Sequence, residues 1–130
     1  LLDPKAAGGT ELLARRVFKE LPELVEKFNW VLSYDKVEPD PNKPTICWMH
    51  ETPFDAGINK NFNNPEYWQK FIKIIFVSYW QQQLFHVIYG IPYERSIVIQ
   101  NAIDPILVQS KPSTEIMKFI TKMLFTIQQA

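Results

Sequence analysis

The sequence predicts an α/β fold, a Rossmann-like three-layer domain on a mostly parallel sheet of about four strands. Three observations lead there. The apolar runs at 44–51 and 73–79 leave no polar face, the pattern of strands covered on both sides. Helical segments separate the runs, and strand–helix–strand order calls for parallel pairing through right-handed crossovers. The stretch VSYWQQQLFHVIYGIPYERSIVIQNAID, residues 77–104, holds the whole grammar: a strand end, a helix, a Gly-Ile-Pro turn, a second strand, then polar residues at its carboxyl end. Open α/β sheets build their sites at that end.

The elements follow in order. Gly8 and Gly9 precede Thr10, a good helix N-cap, and Leu13, Val17, Leu21, Leu24 and Phe28 recur at helical spacing. Pro22 interrupts this helix, which ends or kinks near 19–21 and restarts with the proline in a first turn. NWVLSYD (29–35) reads as a short strand and PTICWMHE (44–51) as a buried one. Prolines 39, 41, 44 and 53 mark a loop-rich middle. TPFDAGINKNFNNPE reads as a long polar loop, and Asn64 or Pro65 starts a short helix. KIIFVSY (73–79) is a third strand. WQQQLFHVIYG is a helix closed by Gly90 as its left-handed cap, and ERSIVIQN (94–101) is a fourth strand. Ser113 or Thr114 caps a last helix. Its residues Ile116, Phe119, Ile120, Met123, Leu124 and Ile127 form an apolar stripe that needs a surface to cover. A Gly-Gly loop opening a helix normally follows a strand, and only Leu1–Lys5 lie upstream of it. The expectation is a chain truncated at its start.

Composition excludes several classes. The 130 residues allow one domain at most, and 46% hydrophobic content is enough for a packed core. Lys plus Arg and Asp plus Glu both number 14, against the clustered basic surface a nucleic-acid partner requires. No apolar run approaches the ~20 residues of a membrane span, and no signal peptide opens the chain. Cys47 is the single cysteine. It cannot form an internal disulfide, which favours a reducing compartment, the cytoplasm. Within its apolar run it reads as a core residue, not a nucleophile.

The candidate site residues gather at helix starts and strand ends. Gly8, Gly9, Thr10 and Glu11 open a helix, where backbone N–H groups and the helix dipole attract phosphate. An ordinary flexible helix entry is the plain alternative. His50 ends the second strand, the position that faces a ligand crevice, with Glu51 and Asp55 near enough to orient it or to bind hydroxyls. A capping histidine satisfied by backbone explains it equally well. His86, mid-helix, reads as a packing or surface residue. No Cys/His spacing suits zinc, and Ser78 lies outside any G-x-S-x-G elbow. Asn101 and Asp104 follow the fourth strand, where turn chemistry alone accounts for both.

Taken in order, the GG-T-E helix opening, the strand ending in His50, FVSYWQ, YGIPYERSIVI and QNAID resemble the N-terminal half of a glycosyltransferase of GT-B architecture, in the family 4/family 1 group of retaining enzymes. The resemblance spans roughly 7–106 and is most specific over 77–104, where the family pattern is V-S-x-W, then G-I-P, then V-I-x-N-G-I-D. Gln100 and Ala102 depart from it, standing where the family has Pro and Gly. The resemblance implies an N-terminal lobe over 1–110, followed at 111–130 by an amphipathic helix or the start of the interlobe linker. It implies sugar transfer from a nucleoside diphosphate donor to a glycan acceptor, with retention and with no cofactor or essential metal. His50 would act at the donor sugar. Gly8, Gly9, Thr10, Asn101 and Asp104 would bind the donor, and Glu51, Asp55 and Asn59 the acceptor. The second lobe, which supplies most donor contacts in such enzymes, would be a missing partner. This chain alone is therefore expected to show little or no transfer. The competing reading is a non-catalytic Rossmann-like binding module, dimerising through its last helix. An epimerase is disfavoured, because no G-x-G-x-x-G follows a strand.

Overall fold

The computed structural model describes residues 9–33, 40–101 and 114–129, with side chains of the last segment from 118 onward. The architecture is α/β. Helices α1 (Gly9–Glu20) and α2 (Glu23–Lys27) lead into strand β1 (Asn29–Leu32), followed by β2 (Thr45–Met49), α3 (Ala56–Phe62), α4 (Pro65–Gln69), β3 (Phe71–Phe76), α5 (Tyr79–Tyr89), β4 (Ser96–Val98) and α6 (Thr114–Gln129). The four strands are all parallel, in the order β1-β2-β3-β4.

Alternation along the strands sorts the core into two halves. Trp30, Ile46, Trp48, Ile75 and Ile99 face one side, where Ala14, Val17 and Phe18 of α1, Leu24 of α2, and Phe119, Ile120, Met123 and Ile127 of α6 cover them. Cys47, Met49, Ile74, Phe76 and Val98 face the other side, under Ile58 and Phe62 of α3, Trp68 of α4 and Phe85 of α5. Every strand neighbour is one step along in the same direction. Right-handed crossovers therefore put α3, α4 and α5 on a common face. A register irregularity opposite Thr45 and Ile46 leaves Ile72 without a partner in β2. That extra residue lets Phe71 join Ile74 and Phe76 on one face, as a bulge does.

Local chemistry sets the helix ends. The helix breaks at Leu21–Pro22, as the sequence predicts, and Pro22 stands at the N-cap position of α2, just before its first turn. Asn64 caps α4 by accepting from Glu66 N, with Pro65 in its first turn. Gly90 closes α5 at φ 74°, the left-handed conformation that glycine takes at low cost. Trp30 Nε1 donates to Leu24 O at 3.0 Å and locks α2 onto β1. Cys47 is fully buried, and burial pushes its thiol far above the ordinary value, which leaves it inert as a nucleophile.

Several readings are corrected. Thr10 lies inside α1 and does not cap it, and the fourth strand is confined to Ser96–Val98, with Tyr93–Arg95 in a single 3-10 turn before it. The polar segment 52–66 is not all loop, because Ala56–Phe62 form α3. Its Ile58 and Phe62 are four residues apart and both fully buried. Strand ends also differ: β1 stops at Leu32, and Ser33 turns away at φ 64°. The α6 stripe covers the sheet of its own chain through Phe119, Ile120, Met123 and Ile127. Gly8, Asp104 and Ser113 lie outside the described residues, as does the side chain of Ile116.

Candidate functional site at the carboxyl edge of the sheet

The carboxyl ends of the strands present Ser33 after β1, His50 and Glu51 after β2, Val77 and Ser78 after β3, and Asn101 beyond β4. His50 is the centre of this edge. Its Nδ1 lies 3.3 Å from Trp48 O. A carbonyl oxygen only accepts, so Nδ1 carries the proton and Nε2 keeps its lone pair. That Nε2 is buried with no hydrogen-bond partner. The imidazole packs on the Trp48 ring at 4.9 Å. Burial lowers the His50 pKa below its ordinary value, against smaller upward effects of the Trp48 carbonyl and the Glu11 carboxylate. Burial thus favours the neutral ring.

Glu11 lies in the first turn of α1, and its carboxylate acts electrostatically on His50. Gly9 is exposed, and a Cβ on it would meet none of the described residues within 4 Å. The first N–H groups of α1 have no intrahelical acceptors. Of the sequence-predicted residues, Gly9 and Thr10 open α1 and His50 follows β2.

The remaining candidates separate. Glu51 continues directly from His50 and is half-buried. Asp55 accepts from Gly57 N at 2.9 Å and Ile58 N at 3.2 Å through Oδ1, so its carboxylate caps α3. Asn59 Oδ1 accepts from Tyr89 Oη at 2.8 Å, joining α3 to α5 on the face opposite the Trp48–His50 stack. Asn101 is exposed at the end of β4. His86 makes a 2.8 Å contact from Nδ1 to Ile91 O and stacks on Tyr93 at 4.0 Å, a packing role as expected. Ser78 caps α5 by accepting from Gln81 N.

Two residues of this edge went unread in the sequence. Gln81 is buried, with Nε2 donating to Met49 O at 3.2 Å and Glu51 O at 2.7 Å, while Oε1 accepts from Val77 N at 2.7 Å. The signal for it was present: Ser78-Tyr-Trp-Gln81 has the S-x-x-Q spacing of a capping box. Ser33 accepts from His50 N at 3.0 Å through Oγ, and nothing in its neighbours foretells its positive φ.

Among the described residues no three His, Cys, Asp or Glu side chains stand together to hold a metal. No described helix is long and apolar enough to cross a membrane. Comparison with protein-family models, curated proteins and solved structures finds no match to this chain.

Proposed function

We propose that the chain is the acceptor-side lobe of a GT-B glycosyltransferase, moving a sugar from a nucleoside diphosphate donor to a carbohydrate acceptor with retention. The observation that carries this reading is the place of His50 just past β2 with its Nε2 unpartnered, beside the electrostatic reach of Glu11 from the opening turn of α1. The two features serve complementary chemistry. A helix N-terminus carries about half a positive charge and exposed N–H donors, suited to a diphosphate that gathers negative charge as it leaves. A neutral imidazole offers its Nε2 lone pair to a sugar hydroxyl once the ligand displaces the groups that bury it. Glu51, next in the chain, supplies a second acceptor for hydroxyls. Asp55 and Asn59 are already engaged within the fold, so acceptor recognition rests on Glu51 in this reading.

The test is saturation-transfer NMR with UDP-, GDP- and dTDP-sugars and simple glycan acceptors on the chain and on His50→Ala. The expected result is donor binding that the variant loses. Binding unchanged in His50→Ala would remove the site from the strand ends. The isolated chain is expected to turn over little, and robust transfer by it would overturn that part.

A second reading, an interaction module, has one specific support. Trp80, Leu84, Val87 and Ile88 follow helical spacing on α5; Leu84 is half-buried, and Val87 remains 71% exposed. With the α6 stripe spent on its own sheet, self-association would run through α5. Sedimentation of the parent and Val87→Lys decides it: a concentration-dependent dimer lost in the variant favours this reading.

A further inference from the structure

We infer that Gln81 and Ser33 are positioning residues for His50, a two-sided clamp that presets where the imidazole stands at the carboxyl end of β2. The inference rests on reading His50 as the group that meets the ligand. The four residues Trp48 to Glu51 are each held through one backbone group. Trp48 O accepts from Ser33 N at 3.1 Å, Met49 O from Gln81 Nε2, His50 N donates to Ser33 Oγ, and Glu51 O accepts from Gln81 Nε2. Met49 is the last ladder residue of β2, so a chain end that would otherwise fray is fixed two residues further.

Both clamp residues are committed to this task. Gln81 is 3% exposed and Ser33 6%, and a buried amide or hydroxyl is costly unless paired. Both ends of the Gln81 amide are paired, because its Oε1 also takes Val77 N. Ser33 sits at φ 64°, a conformation that persists only where the surroundings over-determine it. Its two hydrogen bonds to β2 do so. The imidazole's hydrogen bond, from Nδ1 to Trp48 O, and its ring contact with Trp48 both belong to β2, so its direction follows the backbone that Ser33 and Gln81 hold. The bonds reach the peptide groups on both sides of His50, which generic core packing does not require.

The experiment is NMR on the 15N-labelled full chain, comparing the parent with Ser33→Gly, Gln81→Met and the control Ile58→Val in the opposite core half. Ser33→Gly keeps the backbone conformation comfortable and deletes the hydroxyl. Relative to any global change, exchange of the His50 amide is expected to quicken about tenfold or more in Ser33→Gly. In both clamp variants the ring nitrogen signals shift from the Nδ1–H form toward the mixture of a free imidazole. Ile58→Val leaves both readouts in place. His50 signals that move no more in the clamp variants than in Ile58→Val overturn the inference, and either variant alone suffices if the other does not fold. No ligand enters this measurement, so failure of sugar-nucleotide binding is read separately. Binding with an unmoved His50 would sink the clamp and spare the transferase reading.

Discussion

Phe119→Ala tests whether α6 is an integral layer of the domain. Phe119 is 4% exposed, and its ring stacks on Trp48 at 5.9 Å with 29° between planes. Truncating a phenylalanine in such a place costs about 3–5 kcal/mol in lost transfer energy and cavity, of which the aromatic pair accounts for about 0.5–1.5 kcal/mol. Alanine favours the helix over phenylalanine by about 0.5 kcal/mol, so the loss cannot come from weakening α6 itself. Phe125, on the same helix, is 64% exposed. It supplies an internal control, because Phe125→Ala is expected to stay within about 0.5 kcal/mol of the parent. Against the ~5–15 kcal/mol of a typical domain, the first change is severe and the second slight. Urea unfolding followed by tryptophan fluorescence reads both. Equal, small losses would refute the packing of α6 on the sheet. A Phe119→Ala loss that grows with protein concentration would show the stripe meeting a second copy.

Three further outcomes are expected. Gly90→Ala loses about 1 kcal/mol in thermal or urea unfolding; the added Cβ meets nothing within 4 Å and only the φ of 74° opposes it, so a loss above about 3 kcal/mol would mean a hidden clash. Burial holds His50 below its ordinary pKa of about 6.5, so the folded state resists protonation. Its contribution is complete above that ordinary value and is lost as pH falls through the folded one; a urea midpoint that falls equally in the parent and His50→Gln across that window refutes the assignment. Asp55→Ala removes the α3 cap and costs about 1 kcal/mol, whereas an unchanged stability with weakened sugar binding would return Asp55 to acceptor recognition.

The sheet and its helices were legible because periodicity and caps agree. Ile46, Cys47, Trp48 and Met49 read as a strand covered on both sides, and all four are fully buried. Pro22, Asn64 and Gly90 punctuate the helices where their backbone chemistry requires. The helix α3 was hidden because Gly57, Asn59, Asn61 and Asn63 give a turn-like composition. Its identity comes from Ile58 and Phe62, which only a neighbouring sheet and α5 make decisive. The place of His50 just past β2 and the start of a helix near Gly9 were readable from strand-end and helix-start rules. Asp55 and Asn59 were not separable from binding residues by type, because capping and hydroxyl recognition use the same groups. Ser33 escaped since a left-handed serine is fixed by tertiary hydrogen bonds, not by local sequence.

The division of the core by the sheet has a consequence for how this chain tolerates change. Phe18 and Trp30 touch on one side at 5.1 Å, and Phe62 and Phe85 on the other at 5.2 Å, with the strand backbones as a wall between. Substitutions within either pair share neighbours and combine non-additively, while one from each side adds nearly independently. The layer of α1, α2 and α6 can thus drift in sequence with little constraint from the layer of α3, α4 and α5. Coupling between the two halves of the molecule is concentrated instead in polar groups such as Gln81, which reaches from α5 to the end of β2.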